Sequence, residues 1–179
     1  MIKINMGCGW RKFGEDWIHI DGGDYDHLDY KDIFNLPYED NTVDLIYASH
    51  VIEYFDTQEV KIVLKEWKRV LKKDGILRIA VPDFQSMSKL YSLGEIELIN
   101  ILGPLYGKMT MADKKIYHKT VYDFKTLENT LKCVGFYDIM RYDWRNTEHS
   151  YYDDHSQAYL PHMDKENGTL ISLNVECKK

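Results

Sequence analysis

The sequence predicts a mixed α/β fold on a doubly wound, mostly parallel sheet, and three observations carry that prediction. Short Ile- and Val-rich runs alternate with patterns of helical period, the arrangement of βαβ units. Two of the runs, residues 43–48 and 76–81, are apolar almost throughout, as strands buried on both faces are. A glycine turn, Gly7-Cys8-Gly9, follows the first run directly, and ligands of such sheets sit beyond the strand ends. The 179 residues hold no repeat, low-complexity tract or Pro/Ser-rich linker, so a single domain over 1–179 is expected.

In chain order, residues 2–6 and 17–20 read as the first two strands, short and apolar and closed by Gly or Asp. Only seven residues, 10–16, separate Gly9 from Trp17, against the roughly ten or more that a crossover helix requires. A shortened or missing first crossover helix is therefore expected. After the strand 43–48, residues 56–71 have the clearest helical period, with Val60, Val63, Leu64, Trp67, Val70 and Leu71 on one face. Asp56 and Glu59 have the spacing of a capping box, and Lys72, Lys73 and Gly75 mark the helix end. The strand 76–81 follows. Residues 84–119, apolar but broken by Gly94, Gly103-Pro104 and Gly107, fit a lid, a plain covering of the core or a partner surface. A second helix is expected over 123–134, burying Phe124, Leu127, Leu131 and Val134 and stopped by Gly135. Residues 136–141 and 169–177 close the sheet, the last strand antiparallel.

Charge and composition restrict the partners. With 23 basic and 29 acidic side chains, the net charge is −6, the wrong sign for a general nucleic-acid binder or a polybasic membrane-surface protein. Three widely spaced cysteines, Cys8, Cys133 and Cys177, suggest a reducing compartment. No run of about 18 apolar residues and no leader pattern occurs, so a cytoplasmic chain without membrane insertion is expected.

The glycine turn narrows the cofactor. A dinucleotide site wants a third glycine where Lys12 stands, and an acid about twenty residues on, whereas Asp21 lies twelve past Gly9. A nucleoside cofactor without phosphates needs only the backbone turn and a carboxylate for its ribose, which Asp21 can supply. Asp21 before Gly22-Gly23 also fits a simple turn residue.

Four ordered motifs then resemble one family. NMGCG, Asp21, the stretch DIFNLPYEDNTVDLIYASHVIEYF and VLKKDGILRIAVPD are similar to the class I S-adenosylmethionine-dependent methyltransferases, particularly small predicted members related to the ubiquinone/menaquinone-biosynthesis type. The match covers most of the first 135 residues. The resemblance implies a Rossmann-like fold and S-adenosyl-L-methionine as cofactor. It implies that Gly7, Cys8 and Gly9 face the methionine part, Asp21 the ribose, and Asp32 with the Ile33 amide the adenine, with Ser49 joining the cofactor set. Asp32 fits a turn cap equally well. Many members carry an acid before the glycine turn; Asn5 and Met6 stand there, and substitute contacts are expected from residues 10–16.

Methyl transfer aligns a nucleophile with a sulfonium and, for an oxygen or thiol, removes a proton. Candidate bases are His50, Asp83, His118 and His149, with Tyr122 beside them. His50 also fits a turn cap, and Asp83 a cap for a helix starting at Phe84. The segment 142–168 is long for a connection and carries Trp144, four tyrosines, three histidines and a net charge of −4. It is the expected binding region for a small-molecule or glycan-type acceptor and disfavours a phosphate-rich one. His149, Asp153, Asp154, His155 and His162 match no standard ligand spacing, so no metal is expected. A non-catalytic cofactor-binding protein and a nucleic-acid methyltransferase are the alternatives. The latter should show Asn/Asp-Pro-Pro-aromatic where IYASHVIE stands.

Overall fold

The computed structural model describes residues 1–111 and 113–179. Its centre is a six-stranded sheet of β1 (Lys3–Met6), β2 (Trp17–Ile20), β3 (Val43–Ser49), β4 (Leu71–Pro82), β7 (Tyr137–Arg141) and β10 (Ser172–Lys178), in the order β2-β1-β3-β4-β10-β7. β10 alone runs antiparallel to its neighbours. Two further pairs stand apart from the sheet, β5 (Met109–Met111) with β6 (Lys114–Ile116) and β8 (Tyr159–Leu160) with β9 (Thr169–Leu170). The helices are α1 (Glu59–Val70), α2 (Phe84–Ser92), α3 (Leu98–Tyr106) and α4 (Phe124–Val134). The expected strand 169–177 is thus split at Ile171. The strand expected over 76–81 begins at Leu71, because Leu71 pairs with Val43 across a bulge, and this ends α1 at Val70. No helix among the described residues is long and apolar enough to cross a membrane.

One face of the sheet is covered by helices. Val60, Val63, Leu64 and Trp67 of α1 and Leu127 and Leu131 of α4 pack with Ile4, Met6, Ile46, Leu77, Ile79 and Val175 in one apolar core. The capping box works as its spacing predicts: Asp56 accepts from the Gln58 and Glu59 amides at 2.8 and 2.9 Å, and Glu59 accepts from the Asp56 amide at 2.9 Å.

The cluster on the other face draws on no α-helix; its cover includes the short 3₁₀ turns Trp144–Asn146 and His155–Gln157. Residues 10–16 connect β1 to β2 in irregular chain, held where the Phe13 amide donates to His19 Nε2 at 2.8 Å. Phe13, Trp17, Leu45 and Tyr47 form a second cluster there, with Tyr152 stacked on Phe13 at 4.2 Å between ring centroids. Residues 144–158 lie over it. The missing crossover helix and the long late segment are one feature: the segment covers what the helix leaves open.

Candidate active site

Pairing register brings the functional residues to one edge. Met6 lies level with Ile20 and Ala48, and Ser49 with Ala80, so the chain leaves the sheet near Gly7, Asp21, His50 and Asp83 on the same side. Gly7 and Gly9 both have positive φ, 64° and 57°, and a Cβ on Gly7 would collide with Val51. A Cβ on Gly9 would meet nothing within 4 Å, so its backbone stands open to a ligand.

Asp21 pins this turn. Its Oδ2 accepts from the Gly9 amide at 2.8 Å and its Oδ1 from the Gly23 amide at 2.6 Å. Each carboxylate oxygen has a second lone pair, so the turn role and a ribose role are compatible. Cys8 contributes backbone; its thiol lies 3.7 Å from His27 Nε2, and burial with the Asp21 charge pushes it up to about 12. Asp32 and Ile33 sit farther out. The Asp32 carboxylate accepts from the Phe34 and Asn35 amides and the Asn35 side chain, chiefly the last of which holds its pKa low, and Trp67 Nε1 donates to the Ile33 carbonyl. In this structure Asp32 caps its own turn, the simpler of its two expected roles.

Two candidate bases come together and two do not. His50 Nδ1 and His118 Nε2 lie 3.5 and 3.7 Å from Glu53 Oε1. Glu53 is 0% exposed and neither carboxylate oxygen has a hydrogen-bond partner. Burial pushes its pKa up to about 8 and drives His50 well below its usual value, so carboxyl and imidazole are both neutral at pH 7. His118 Nδ1 faces the Pro104 carbonyl at 2.9 Å and so carries its proton, which leaves the Nε2 lone pair for a protonated Glu53. Gly107, at φ 49°, makes this possible, since any Cβ there would collide with the His118 ring. His50 itself has φ 56°, and its Nε2 is buried without a partner. Glu53 was not among the sequence candidates. The signal was the His-x-x-Glu spacing at the end of the third strand, where the left-handed turn at His50 brings its ring to the Glu53 carboxyl.

Asp83 is an N-cap. Its Oδ1 accepts from the Gln85 and Ser86 amides at 3.1 and 3.3 Å, and its Oδ2 accepts from Ser86 Oγ at 3.0 Å. His149 lies apart from this cluster. Its ring sits 4.0 Å from that of Tyr47, tilted by 35°, within the aromatic cover, burial pushes its pKa down to about 4, and Arg78 Nη1 lies 3.2 Å from its Nε2. Among the described residues no three His, Cys, Asp or Glu side chains converge as metal ligands. Tyr122, buried near Glu53, keeps an unpartnered hydroxyl.

A small polar cavity of about 10 Å³ lies beside the glycine turn, lined by Asn5, Gly7, Cys8, Arg11, Phe13, Ser49 and Asp154. Two segments border it. The His155 ring stands 5.1 Å from that of His50, and Met111, in β5 of the expected lid, lies against Gly22 next to Asp21.

Residues 19–79 match the family profile described as a methyltransferase domain. None of the curated protein sequences matches. Similar solved structures include a Methanosarcina mazei S-adenosylmethionine-dependent methyltransferase, 16% identical at a TM-score of 0.60 over 99% of this chain and 91% of that one. A second, from Archaeoglobus fulgidus, is 14% identical at 0.57 over 99% and 85%. A third, the Burkholderia thailandensis 1,6-didemethyltoxoflavin-N1-methyltransferase holding its acceptor and S-adenosylhomocysteine, is 11% identical at 0.57 over 99% and 70%. With its glycine turn, paired acid and strand order, the chain has the fold of the S-adenosylmethionine-dependent methyltransferases.

Proposed function

We propose that this protein is an S-adenosylmethionine-dependent methyltransferase acting on a small-molecule or glycan-type acceptor. One observation carries the reading: an open glycine turn pinned by Asp21 shares a sheet edge with the buried His50, Glu53 and His118 cluster. The residues suit the cofactor. Gly9 presents bare backbone, Asp21 keeps lone pairs for ribose hydroxyls, and the buried Ser49 hydroxyl has no protein partner. When bound, the cofactor supplies an electrophilic sulfonium methyl. His50 Nε2 takes the acceptor's proton, with Glu53 Oε1 3.5 Å from its Nδ1 and 3.7 Å from His118 Nε2. Residues 84–119 cover the cofactor, an arrangement supported by the contact of Met111 with Gly22. The acidic 142–168 segment borders the acceptor through His155. A reducing, cytoplasmic setting accords with three free cysteines.

Thermal unfolding with S-adenosylmethionine, S-adenosylhomocysteine, NAD or buffer tests this. A ligand at 100 times its Kd stabilises by about 2.7 kcal/mol, roughly 5–11 °C for a domain of this size. Both sulfur compounds should raise Tm and NAD should not. A folded protein indifferent to both, or shifted by NAD, removes the cofactor from the proposal.

A further inference from the structure

The cavity beside the glycine turn contains a buried carboxylate without a cation. Asp154 is 4% exposed; its Oδ2 accepts from the Tyr47 hydroxyl at 2.6 Å and its Oδ1 from the Ser156 amide at 2.7 Å. Among the described residues no Lys, Arg or His nitrogen lies within 4.0 Å of it. A buried carboxylate in this state is costly unless a positive group completes it. Two further groups in the cavity are unsatisfied: Asn5 Nδ2, on a side chain of a residue 3% exposed, and Ser49 Oγ. Arg11, also lining the cavity, uses Nε on the Asp153 carbonyl at 2.9 Å and leaves its two terminal nitrogens available.

A carboxylate, a hydroxyl, a guanidinium and an amide N–H lining one cavity match in kind the ammonium and carboxylate of an α-amino acid. We infer that Asp154 receives the α-ammonium of S-adenosylmethionine, with Ser49, while Arg11 and Asn5 hold its α-carboxylate. The inference rests on the proposed cofactor. It explains how a chain with Asn5 and Met6 before its glycine turn does without an acid there: the acid comes from a segment almost 150 residues later, which reaches the cavity because it covers the face that lacks the first crossover helix. Cofactor binding and the seating of residues 144–158 are thereby one equilibrium.

Calorimetric titration of the purified protein with S-adenosylhomocysteine and with methylthioadenosine separates the possibilities, since the second keeps the nucleoside and thioether but lacks the amino-acid end. Asp154→Asn should weaken S-adenosylhomocysteine by about tenfold or more, the order expected for a charged hydrogen bond, and leave methylthioadenosine within about twofold. Arg11→Met, on a partly exposed side chain that folding does not require, should do the same. Decarboxylated S-adenosylmethionine should be weakened by Asp154→Asn and not by Arg11→Met. Equal losses for both thioethers in Asp154→Asn, or unchanged S-adenosylhomocysteine affinity in either variant, overturn the inference while leaving the cofactor in place. A wild-type protein that binds neither compound overturns both.

Discussion

The sheet has two faces covered by different means. Under α1 and α4 the buried side chains are apolar and recur every three or four residues, from Val60 to Trp67 and from Leu127 to Leu131. Under residues 10–16 and 144–158 nothing recurs, and rings share the interior with Arg78, His149, Asp154 and Asn174. Arg78 donates to Glu148 at 2.9 Å and Glu176 at 3.1 Å, and Asn174 Nδ2 donates to the Ser156 carbonyl at 2.9 Å. Helices satisfy their own backbone and need only an apolar stripe, whereas irregular chain needs side-chain partners for its polar groups. A polar face results, and polar groups at the open edge are what a cofactor and a proton transfer require.

The comparison holds only if the two faces differ in what their loss does. Trp67→Ala, which empties the centre of the helical core, should cost about 3–5 kcal/mol, seen as a lower urea midpoint with all probes moving together. Arg78→Met removes the cation that ties Glu148, Glu176 and His149, and should cost about 1–3 kcal/mol. Hydrogen exchange should quicken over residues 144–158 and stay unchanged in α1 and α4; equal quickening in both would make the faces one cooperative unit. The smallest effect is expected of His149→Phe, which keeps a ring on Tyr47 and should stay within about 1 kcal/mol of wild type. Its thermal response to S-adenosylhomocysteine should persist, and loss of that response in a stable variant would return His149 to the site.

Much of the helix-covered half was legible beforehand. The period of Val60, Val63, Leu64 and Trp67, the capping box at Asp56 and Glu59, and the glycine stop at Gly135 are local signals, and local hydrogen bonds realise them. The seven-residue gap after Gly9 announced the missing crossover helix by length alone. The glycine turn and Asp21 were legible because both sit at strand ends twelve residues apart, and the sheet register then brings them to 2.8 Å. Asp83 and Asp32 each had two readings in the sequence. The structure makes the capping hydrogen bonds in both cases.

The site was less legible where it is assembled from distant segments. Tyr47 and Asp154 lie 107 residues apart, and Glu53 meets His118 only because Gly107 lets the ring approach. The segment 142–168 reads as a single acceptor loop from its aromatic content, yet His149 and Tyr152 lie in the cover, Asp154 lines the cavity and His155 lies beside His50. What the amino-acid sequence determined by itself is the alternation of strands and helices, the caps and the glycine turn, since backbone conformation and near-neighbour hydrogen bonds decide these. Tertiary structure alone decided which buried polar groups find partners inside the protein and which are left for a ligand, because burial and pairing depend on chain brought together from far apart.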